Sequence, residues 1–278
     1  MAKRKVEWSE KKIQQYIKDG RGTGRGLEYK PWLTNQDFSS TGRTVRSTGM
    51  TIERAYFCAS GVEYEFFLLL DWADEVVDIF DQFPLLPLES TLAIAEAQQI
   101  PHPKDRKSKV DTVLSTDFVF EVQEGFQRRL VARTVKPVNE LTKRVIEKFE
   151  IERRYWLERN VDWGIVTEND LPKMRVKNLL WFHNDYYLEG TLIPYENYIL
   201  ETIDRITPFI AELQQLKLTD ACIRADQQFR LNPGESLRLT KHLVSRKLVK
   251  YDIDQHYGPD LMIRDIDFTA HLDQYKTA

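Results

Sequence analysis

Three residues of this chain, Glu63, Asp117 and Lys136, are of the types needed to hydrolyse a phosphodiester. Carboxylates hold a hard divalent cation such as Mg²⁺, which polarises a phosphoryl oxygen. A lysine orients or activates the attacking water and offsets charge in the transition state. These side chains act together only if the elements of the chain bring them to one place.

A predicted β-hairpin brings two of the three residues together. Apolar alternation predicts strands over residues 112–122 and 129–135, and the Glu-Gly pair between them predicts a tight turn. Alternation turns Asp117 away from the main apolar face, and folding about the turn puts Thr134 and the two residues before it opposite Asp117. Thr134 and Lys136 share a face of their strand. We therefore expect the Asp117 carboxylate, the Thr134 hydroxyl and the Lys136 ammonium group to lie close together.

A helix predicted from residue 60 to about residue 72 supplies the third side chain. It begins with Ser-Gly-Val-Glu, and this spacing also fits a capping box in which Glu63 bonds back to the backbone N–H of Ser60. Asp117 could equally be an exposed strand residue, and Lys136, which precedes a proline, could mark a strand end. Spacing alone therefore favours these ordinary explanations.

The net charge of −3 conceals a segregation of charge along the 278 residues. Residues 1–58 contain twelve Lys and Arg against six Asp and Glu, whereas residues 59–100 contain nine acids and neither Lys nor Arg. Residues 219–251 are basic again, with seven against three. Basic segments around an acidic centre suit a protein that grips phosphates and holds metal ions, although ordinary solvated faces explain the pattern equally well.

Composition argues against several classes of protein. No run reaches the roughly 18 apolar residues of a membrane span, and the basic N-terminus precedes polar sequence instead of an apolar signal core. We therefore expect a cytoplasmic protein without membrane contact. Cys58 and Cys222 are far apart and the five histidines form no metal-binding motif, which argues against structural zinc and a disulfide framework.

The order of predicted elements indicates an α/β fold with a mixed sheet flanked by helices. These elements are, in order, a helix at 9–19, the helix at 60–72, a strand at 76–80, the hairpin, a helix at 139–159 and a strand at 163–167. The spacing of apolar residues predicts the buried faces of two helices: Val62, Phe66, Leu69 and Leu70 on the helix at 60–72, and Leu141, Val145, Phe149 and Trp156 on the helix at 139–159. We interpret residues 88–110 as a loop with at most one helical turn. A break in the pattern divides the chain into two predicted domains, 1–168 and 169–278.

A glycine-rich basic run, Gly20-Arg21-Gly22-Thr23-Gly24-Arg25-Gly26, follows the first helix. No strand precedes it, and it lacks the Gly-Lys-Ser/Thr ending of a nucleotide-binding loop. We interpret it as a mobile arm whose Arg21 and Arg25 are candidate contacts to DNA backbone.

The second predicted domain is mostly helical, and its last helix, at residues 236–247, precedes strands at 248–253 and 261–266. A helix followed by a β-hairpin is typical of a winged helix, which can place its helix in a DNA groove. Lys241 and Arg246 on that helix are candidate DNA contacts. The same fold also serves protein contacts, and the sequence leaves both readings open.

Two short runs, Ser115-Thr116-Asp117-Phe118 and Thr134-Val135-Lys136-Pro137, resemble the Asp…Glu/Gln-x-Lys core of the PD-(D/E)xK nucleases. More specifically, the chain resembles the TnsA family, the endonuclease subunits of Tn-seven-type DNA transposases. The segments that carry this second resemblance are Gly20-Arg21-Gly22, Tyr29-Lys30-Pro31-Trp32-Leu33-Thr34, Gln82-Phe83-Pro84-Leu85-Leu86-Pro87 and Glu152-Arg153-Arg154-Tyr155-Trp156.

The resemblance implies a restriction-endonuclease-like fold with a metal-dependent site. In it Glu63 and Asp117 match the metal-binding acids, and Lys136 matches the catalytic lysine. The backbone carbonyl of Val135 is implied as a further ligand to Mg²⁺, with Mn²⁺ as a substitute. The first domain would then be the nuclease and the second its winged-helix-like companion.

Two positions bear on how far this resemblance extends. Thr134 occupies the slot usually held by Glu or Gln, and a hydroxyl is a weaker metal ligand than a carboxylate. Glu152 stands where the family also has an acid, but we interpret it as an exposed helix charge.

The resemblance also implies a role and partners. Family members cut the 5′ strands at transposon ends, while a DDE transposase of the TnsB kind processes the 3′ ends and an AAA+ ATPase of the TnsC kind couples both to a target. Double-stranded transposon-end DNA is the implied substrate. Two alternatives stay open: a catalytically inactive, DNA-binding assembly factor, and a stand-alone restriction-type endonuclease.

Overall fold

The computed structural model of the protein describes residues 7–37, 44–188 and 196–268. The chain forms two compact units, Met1–Leu171 and Pro172–Ala278, and each has its own buried residues. The domain boundary predicted after residue 168 lies near this division and stays a prediction.

Two sheets form the β-structure described in the first unit. A small antiparallel sheet pairs β1 (Val45–Thr48) with β2 (Ala55–Cys58). The larger sheet has the strand order β3 (Val76–Pro84), β4 (Ser115–Glu124), β5 (Gln127–Val135) and β6 (Asp162–Val166). β3, β4 and β5 are antiparallel neighbours, and β6 lies parallel to β5. The predicted mixed sheet and its hairpin are confirmed.

Four helices belong to the described part of this unit: α1 (Glu10–Lys18), α2 (Gly61–Trp72), α3 (Leu88–Ala97) and α4 (Lys143–Leu157). α1, α2 and α4 begin where a hydroxyl side chain, of Ser9, Ser60 or Thr142, accepts a hydrogen bond from the N–H three residues later. Such caps satisfy N–H groups that have no partner within a helix. The predicted helices at 9–19, 60–72 and 139–159 are thereby confirmed.

The buried faces of two helices differ from the predicted ones. On α4 the buried residues are Ile151, Glu152, Tyr155 and Trp156, whereas Leu141, Val145, Phe149 and Trp156 were expected. The difference arises because the first two turns of α4 are exposed or only half-buried, and the helix packs through its second half. On α2 the buried apolar residues are Phe67, Leu68 and Leu70, whereas the expected Val62, Phe66 and Leu69 are half-buried.

The loop predicted at 88–110 is wrong in its first half, where α3 forms. Thr91, Ile94 and Ala95 are buried on this helix, at helical spacing. Pro87 holds the N-cap position and makes no capping hydrogen bond, so the usual start signal of a helix is missing from the sequence.

The glycine-rich run at 20–26 is part of the folded unit and not a mobile arm. The backbone N–H of Gly22 donates to the carbonyl of Lys30, and that of Lys30 donates to Thr23. Gly22 has a φ of 79°, and a Cβ there would lie 2.1 Å from the ring of Pro84. Only glycine therefore allows this close approach to the end of β3.

The second unit is mostly helical, as predicted. Its helices in the described ranges are α5 (Lys173–Phe182), α6 (Glu196–Glu212), α7 (Leu218–Phe229) and α8 (Glu235–Ser245). Within the residues that the structure describes, no helix is both long and apolar enough to cross a membrane.

The two strands predicted for the wing, at 248–253 and 261–266, are wrong as strands. Their described backbone makes isolated antiparallel bridges, Lys250 with Asp267 and Met262 with Lys217, and short 3-10 turns stand in place of a ladder. The side-chain amide of Asn178 donates to the carbonyls of Ile253 and His256. These carbonyls bond to a helix side chain instead of a neighbouring strand.

Candidate active site

Asp117 lies in the middle of the larger sheet, between β3 and β5. Phe118 pairs with Arg133, so the register continued by one residue puts Asp117 opposite Thr134, as predicted. The backbone N–H of Val135 donates to Asp117 Oδ2 at 2.8 Å, and the Gln82 amide donates to Oδ1 at 3.1 Å. The carboxylate is thereby held from both neighbouring strands.

Glu63 stands in the first turn of α2, where the capping box fixes its direction. Ser60 Oγ accepts from the Glu63 N–H at 3.2 Å, and the Glu63 carboxylate accepts from Ser60 Oγ at 3.0 Å and from the Ala59 N–H at 2.8 Å. Only 7% of this residue is exposed. Glu63 thus caps its helix, but its carboxylate accepts from the Ala59 N–H and the Ser60 hydroxyl instead of the predicted Ser60 N–H. The cap also holds a buried carboxylate near Asp117.

Burial raises the pKa of both acids, and the negative charge of Asp117 raises that of Glu63 further. Desolvation is the largest cause for Glu63, followed by the negative charge of Asp117, and together they raise its pKa to about 8. Desolvation raises the pKa of Asp117 to about 6, although the hydrogen bonds from Val135 and Gln82 act in the opposite direction. The two carboxyls titrate as a pair, and without a cation the pair retains protons near neutral pH.

Lys136 follows β5 and completes the predicted set. Its backbone N–H donates to the Val166 carbonyl at 2.9 Å, which fixes the exit from the sheet. Its positive charge lowers the pKa of both Glu63 and Asp117, so the ammonium group lies within electrostatic reach of the pair. The same ammonium forms an ion pair with Glu140 in the turn after β5.

Glu152 is the acid that sequence reasoning placed wrongly. It is buried, at 4% exposure, and its Oε1 accepts hydrogen bonds from Thr116 Oγ1 at 2.6 Å, from Trp163 Nε1 at 3.1 Å and from Thr134 Oγ1. Desolvation raises its pKa to about 7. Trp156, which was expected to face inward, lies one helical turn later, and that spacing was a signal for an inward Glu152.

The donor set around Asp117 fits a hard divalent cation. Among the described residues no group of three or more His, Cys, Asp and Glu side chains is arranged to hold a metal, which argues against a cage built from side chains alone. Mg²⁺ needs less, because it keeps several waters and uses one or two carboxylates. Glu63 and Asp117 supply those carboxylates, and a cation would favour their ionised forms, which burial disfavours.

The two arginines predicted to touch DNA have partners within the fold. Arg21 donates to the Trp32 carbonyl at 2.8 Å and to Asp37 at 3.1 Å, and its guanidinium lies 3.6 Å from the centre of the Tyr16 ring. Arg25 pairs with Glu121, yet 60% of its side chain stays exposed. Arg21 thus has a structural role, and DNA contact by either residue stays a prediction.

The two basic candidates of the second unit also have intramolecular contacts. Lys241 forms an ion pair with Asp185 and lies 5.6 Å from the Trp181 ring centre. The Arg246 guanidinium lies 4.7 Å from the Tyr186 ring centre. Their contact with DNA likewise stays a prediction.

An acid from the start of a helix, with an acid and a lysine from neighbouring antiparallel strands of a mixed sheet, forms the core arrangement of the PD-(D/E)xK endonucleases. The fold is that of a DNA endonuclease, and the proposed site resembles the core of this class.

Comparison with known proteins gives the family. Residues 73–168 match the family model described as TnsA-like endonuclease N terminal, and residues 170–253 match TnsA endonuclease C terminal. The chain is 34% identical over 258 residues to the Transposon Tn7 transposition protein TnsA of Escherichia coli. The matched region covers 91% of this chain and 90% of that protein. The chain belongs to the TnsA family of transposon endonucleases.

Proposed function

We propose that this protein is a Mg²⁺-dependent nuclease that cuts the 5′ strands at transposon ends. It would act in the bacterial cytoplasm beside a DDE transposase, which processes the 3′ ends, and an AAA+ ATPase regulator. The observation that carries this proposal is the convergence of Glu63, Asp117 and Lys136 in a chain of the TnsA family.

Each site residue has a distinct task in this proposal. Glu63 and Asp117 hold the cation with the Val135 carbonyl, and Mn²⁺ substitutes for Mg²⁺. A bound divalent cation supplies Lewis-acid polarisation of the scissile phosphoryl group and acidifies a bound water. Lys136 orients the attacking water and offsets the charge that grows on the phosphate. For this role the Lys136 ammonium group must leave its ion pair with Glu140 and contact the DNA.

The contacts of Thr134 favour an active enzyme over an inactive assembly factor. The Thr134 hydroxyl donates to the buried Glu152 carboxylate, so an acid stands beside the position where the family usually has Glu or Gln. A site that had lost its chemistry would have no need to bury a third acid at such an energetic cost. We assign Glu152 the task of keeping negative charge and hydrogen-bonding capacity at this corner of the site.

DNA contacts outside the site are proposed for the basic residues with exposed guanidinium or ammonium groups. Arg25 is the strongest of these candidates, because more than half of its side chain faces solvent despite its ion pair. In the second unit Lys241 and Arg246 stay candidates for contact with DNA or with the regulator. Each phosphate contact that is lost lowers affinity in a salt-dependent way.

The test is cleavage of transposon-end DNA with Mg²⁺, with the DDE transposase and the ATPase regulator present and both strands monitored. We expect Asp117→Ala to lose the 5′ nicks and retain 3′ cleavage. Asp162→Ala is the matched control, because Asp162 is an acid of the same sheet, on β6, with a 58% exposed side chain. It should cut like the wild type.

Two results would replace the proposal by its alternatives. Unchanged 5′ cutting by Asp117→Ala would remove the assigned site and favour the assembly factor. Cleavage of plasmid DNA by the purified chain without partners would favour a stand-alone restriction-type nuclease.

A further inference from the structure

Gln82 has a backbone conformation that side chains rarely adopt. It lies within β3, yet its φ is 49°, in the left-handed region that glycine favours. The residue is also buried, at 3% exposure. Backbone strain of this kind persists only where the surroundings enforce it, and it is concentrated at functional sites.

The strain coincides with an interruption of the sheet next to Asp117. Asp81 pairs with Phe118 and Phe83 pairs with Thr116, so Gln82 lies across from Asp117 between two ladder pairs. The Gln82 carbonyl instead accepts a hydrogen bond from the Trp32 N–H at 3.1 Å. The backbone of Gln82 is therefore held from outside the sheet.

The side chain of Gln82 is fixed at both of its polar atoms. Ser115 Oγ donates to Gln82 Oε1 at 3.2 Å, and this contact turns the amide NH₂ toward Asp117. Gln82 Nε2 then donates to Asp117 Oδ1 at 3.1 Å. The other donor to this carboxylate, the Val135 N–H, is fixed by the backbone and bonds Oδ2. One donor on each oxygen sets the plane of the carboxylate and leaves each oxygen with a further lone pair.

We propose that Gln82 is a positioning residue that orients Asp117 for a divalent cation. The inference rests on the proposed metal-dependent function of the same site and assigns to it a residue outside the acids and the lysine. Partners that orient a metal ligand in this way change metal affinity or activity by about 10–100-fold when they are removed. The strained backbone is kept because it brings the amide within reach of Asp117.

The test compares metal binding and folding in variants of the full chain. Gln82→Met keeps the length of the side chain and removes the amide. Gln99→Met is the matched control, because Gln99 also has a left-handed φ, of 53°, but is exposed at the end of α3. Mn²⁺ affinity is measured by calorimetry without DNA, and thermal unfolding is measured in EDTA.

We expect Gln82→Met to weaken Mn²⁺ binding about 10–100-fold, whereas Gln99→Met binds like the wild type. Gln82→Gly should unfold in EDTA at no lower a temperature than the wild type, since glycine relieves the φ, and should bind Mn²⁺ as weakly as Gln82→Met. Ser115→Ala is a milder variant that leaves the amide without its orienting donor, and we expect a several-fold weakening. Affinity for transposon-end DNA in EDTA should stay unchanged in all of them.

Wild-type Mn²⁺ affinity in Gln82→Gly and Ser115→Ala would overturn this inference alone and leave the proposed function standing. A wild-type chain that neither binds Mn²⁺ nor cuts 5′ strands would overturn the proposed function and this inference with it. A loss of Mn²⁺ binding that follows the unfolding temperature through the series would make Gln82 a folding residue and also overturn the inference.

Discussion

Replacing Glu63 by glutamine should stabilise the metal-free protein while it removes the response to metal. The carboxylate is buried, and both of its hydrogen-bond donors, the Ala59 N–H and the Ser60 hydroxyl, are neutral. A glutamine amide keeps the size of the side chain and an oxygen acceptor for the helix cap. The variant therefore loses a buried charge and little packing.

The size of the effect follows from the raised pKa. Unfolded Glu63 ionises near 4.5 and the folded residue near 8. Between these values the folded protein holds a proton that the unfolded chain has released, so the stability of the wild type falls as the pH rises. One pKa unit is worth about 1.4 kcal/mol, which makes the full cost of ionisation on the order of 5 kcal/mol.

Glutamine removes this cost and loses roughly 1 kcal/mol of charge-assisted hydrogen bonding. The net gain of about 4 kcal/mol corresponds to a rise of roughly 8–16 °C in Tm, because 1 kcal/mol shifts a unit of this size by about 2–4 °C. The gain should grow from pH 5 to pH 8 and level off above the folded pKa of about 8.

The assay is thermal unfolding in EDTA and in Mg²⁺ across this pH range. Mg²⁺ at 100 times its Kd should stabilise the wild type at pH 8 by about 2.7 kcal/mol and leave Glu63→Gln unchanged. Glu65→Gln on the same helix is the control, since burial raises the pKa of that half-buried acid as well, and it should keep the response to Mg²⁺. A lower Tm for Glu63→Gln at pH 8 in EDTA, or a wild-type response to Mg²⁺, would refute the reasoning.

Three further substitutions test the surroundings of the site. Glu140→Gln releases Lys136 from its ion pair and should raise the rate of 5′ cleavage several-fold when the ATPase is left out of the assembly. An unchanged rate would show that the ion pair does not restrain Lys136. Glu152→Gln should lower 5′ cleavage at least tenfold in rate measurements without lowering Tm, because the amide still accepts from Thr116 and a buried charge is lost. Lys148→Met should weaken DNA binding and flatten its salt dependence, because Lys148 lies within electrostatic reach of Lys136 and Glu152. A slope equal to that of the wild type would contradict a phosphate contact by Lys148.

The residues of the hairpin were predictable because two simple rules fix them. Strand alternation assigns Asp117 to a face, and a two-residue turn sets the register that brings Thr134 opposite it. The position of Glu63 was likewise predictable, since the capping box that argued against a catalytic role is the device that orients its carboxylate. Local rules thus sufficed to predict where the three residues of the proposed core lie.

The residues that sequence reasoning missed depend on contacts between distant segments. Gln82 is fixed by Trp32 and Ser115, and no local pattern indicates a left-handed residue within a strand. Glu152 is held by Thr116 and Trp163 from two different strands. The prediction of two wing strands was wrong for a related reason. The carbonyls of Ile253 and His256 bond to the Asn178 side chain on α5 and not to a neighbouring strand.

Hydrogen bonding and charge compensation are separate requirements, and the site meets only the first. Asp81 is buried in the same unit, and it pairs with Arg54 at 2.7 Å.

Among the described residues, by contrast, the hydrogen bonds to Glu63, Asp117 and Glu152 come from neutral groups: backbone N–H, hydroxyl, amide and indole. Neutral donors satisfy the oxygens without cancelling the charge, and residues 59–100 contain neither Lys nor Arg to do so. Protons, Lys136 or an added cation must therefore balance these acids. Binding of a divalent cation, as proposed, would release the protons and leave the acids fully ionised.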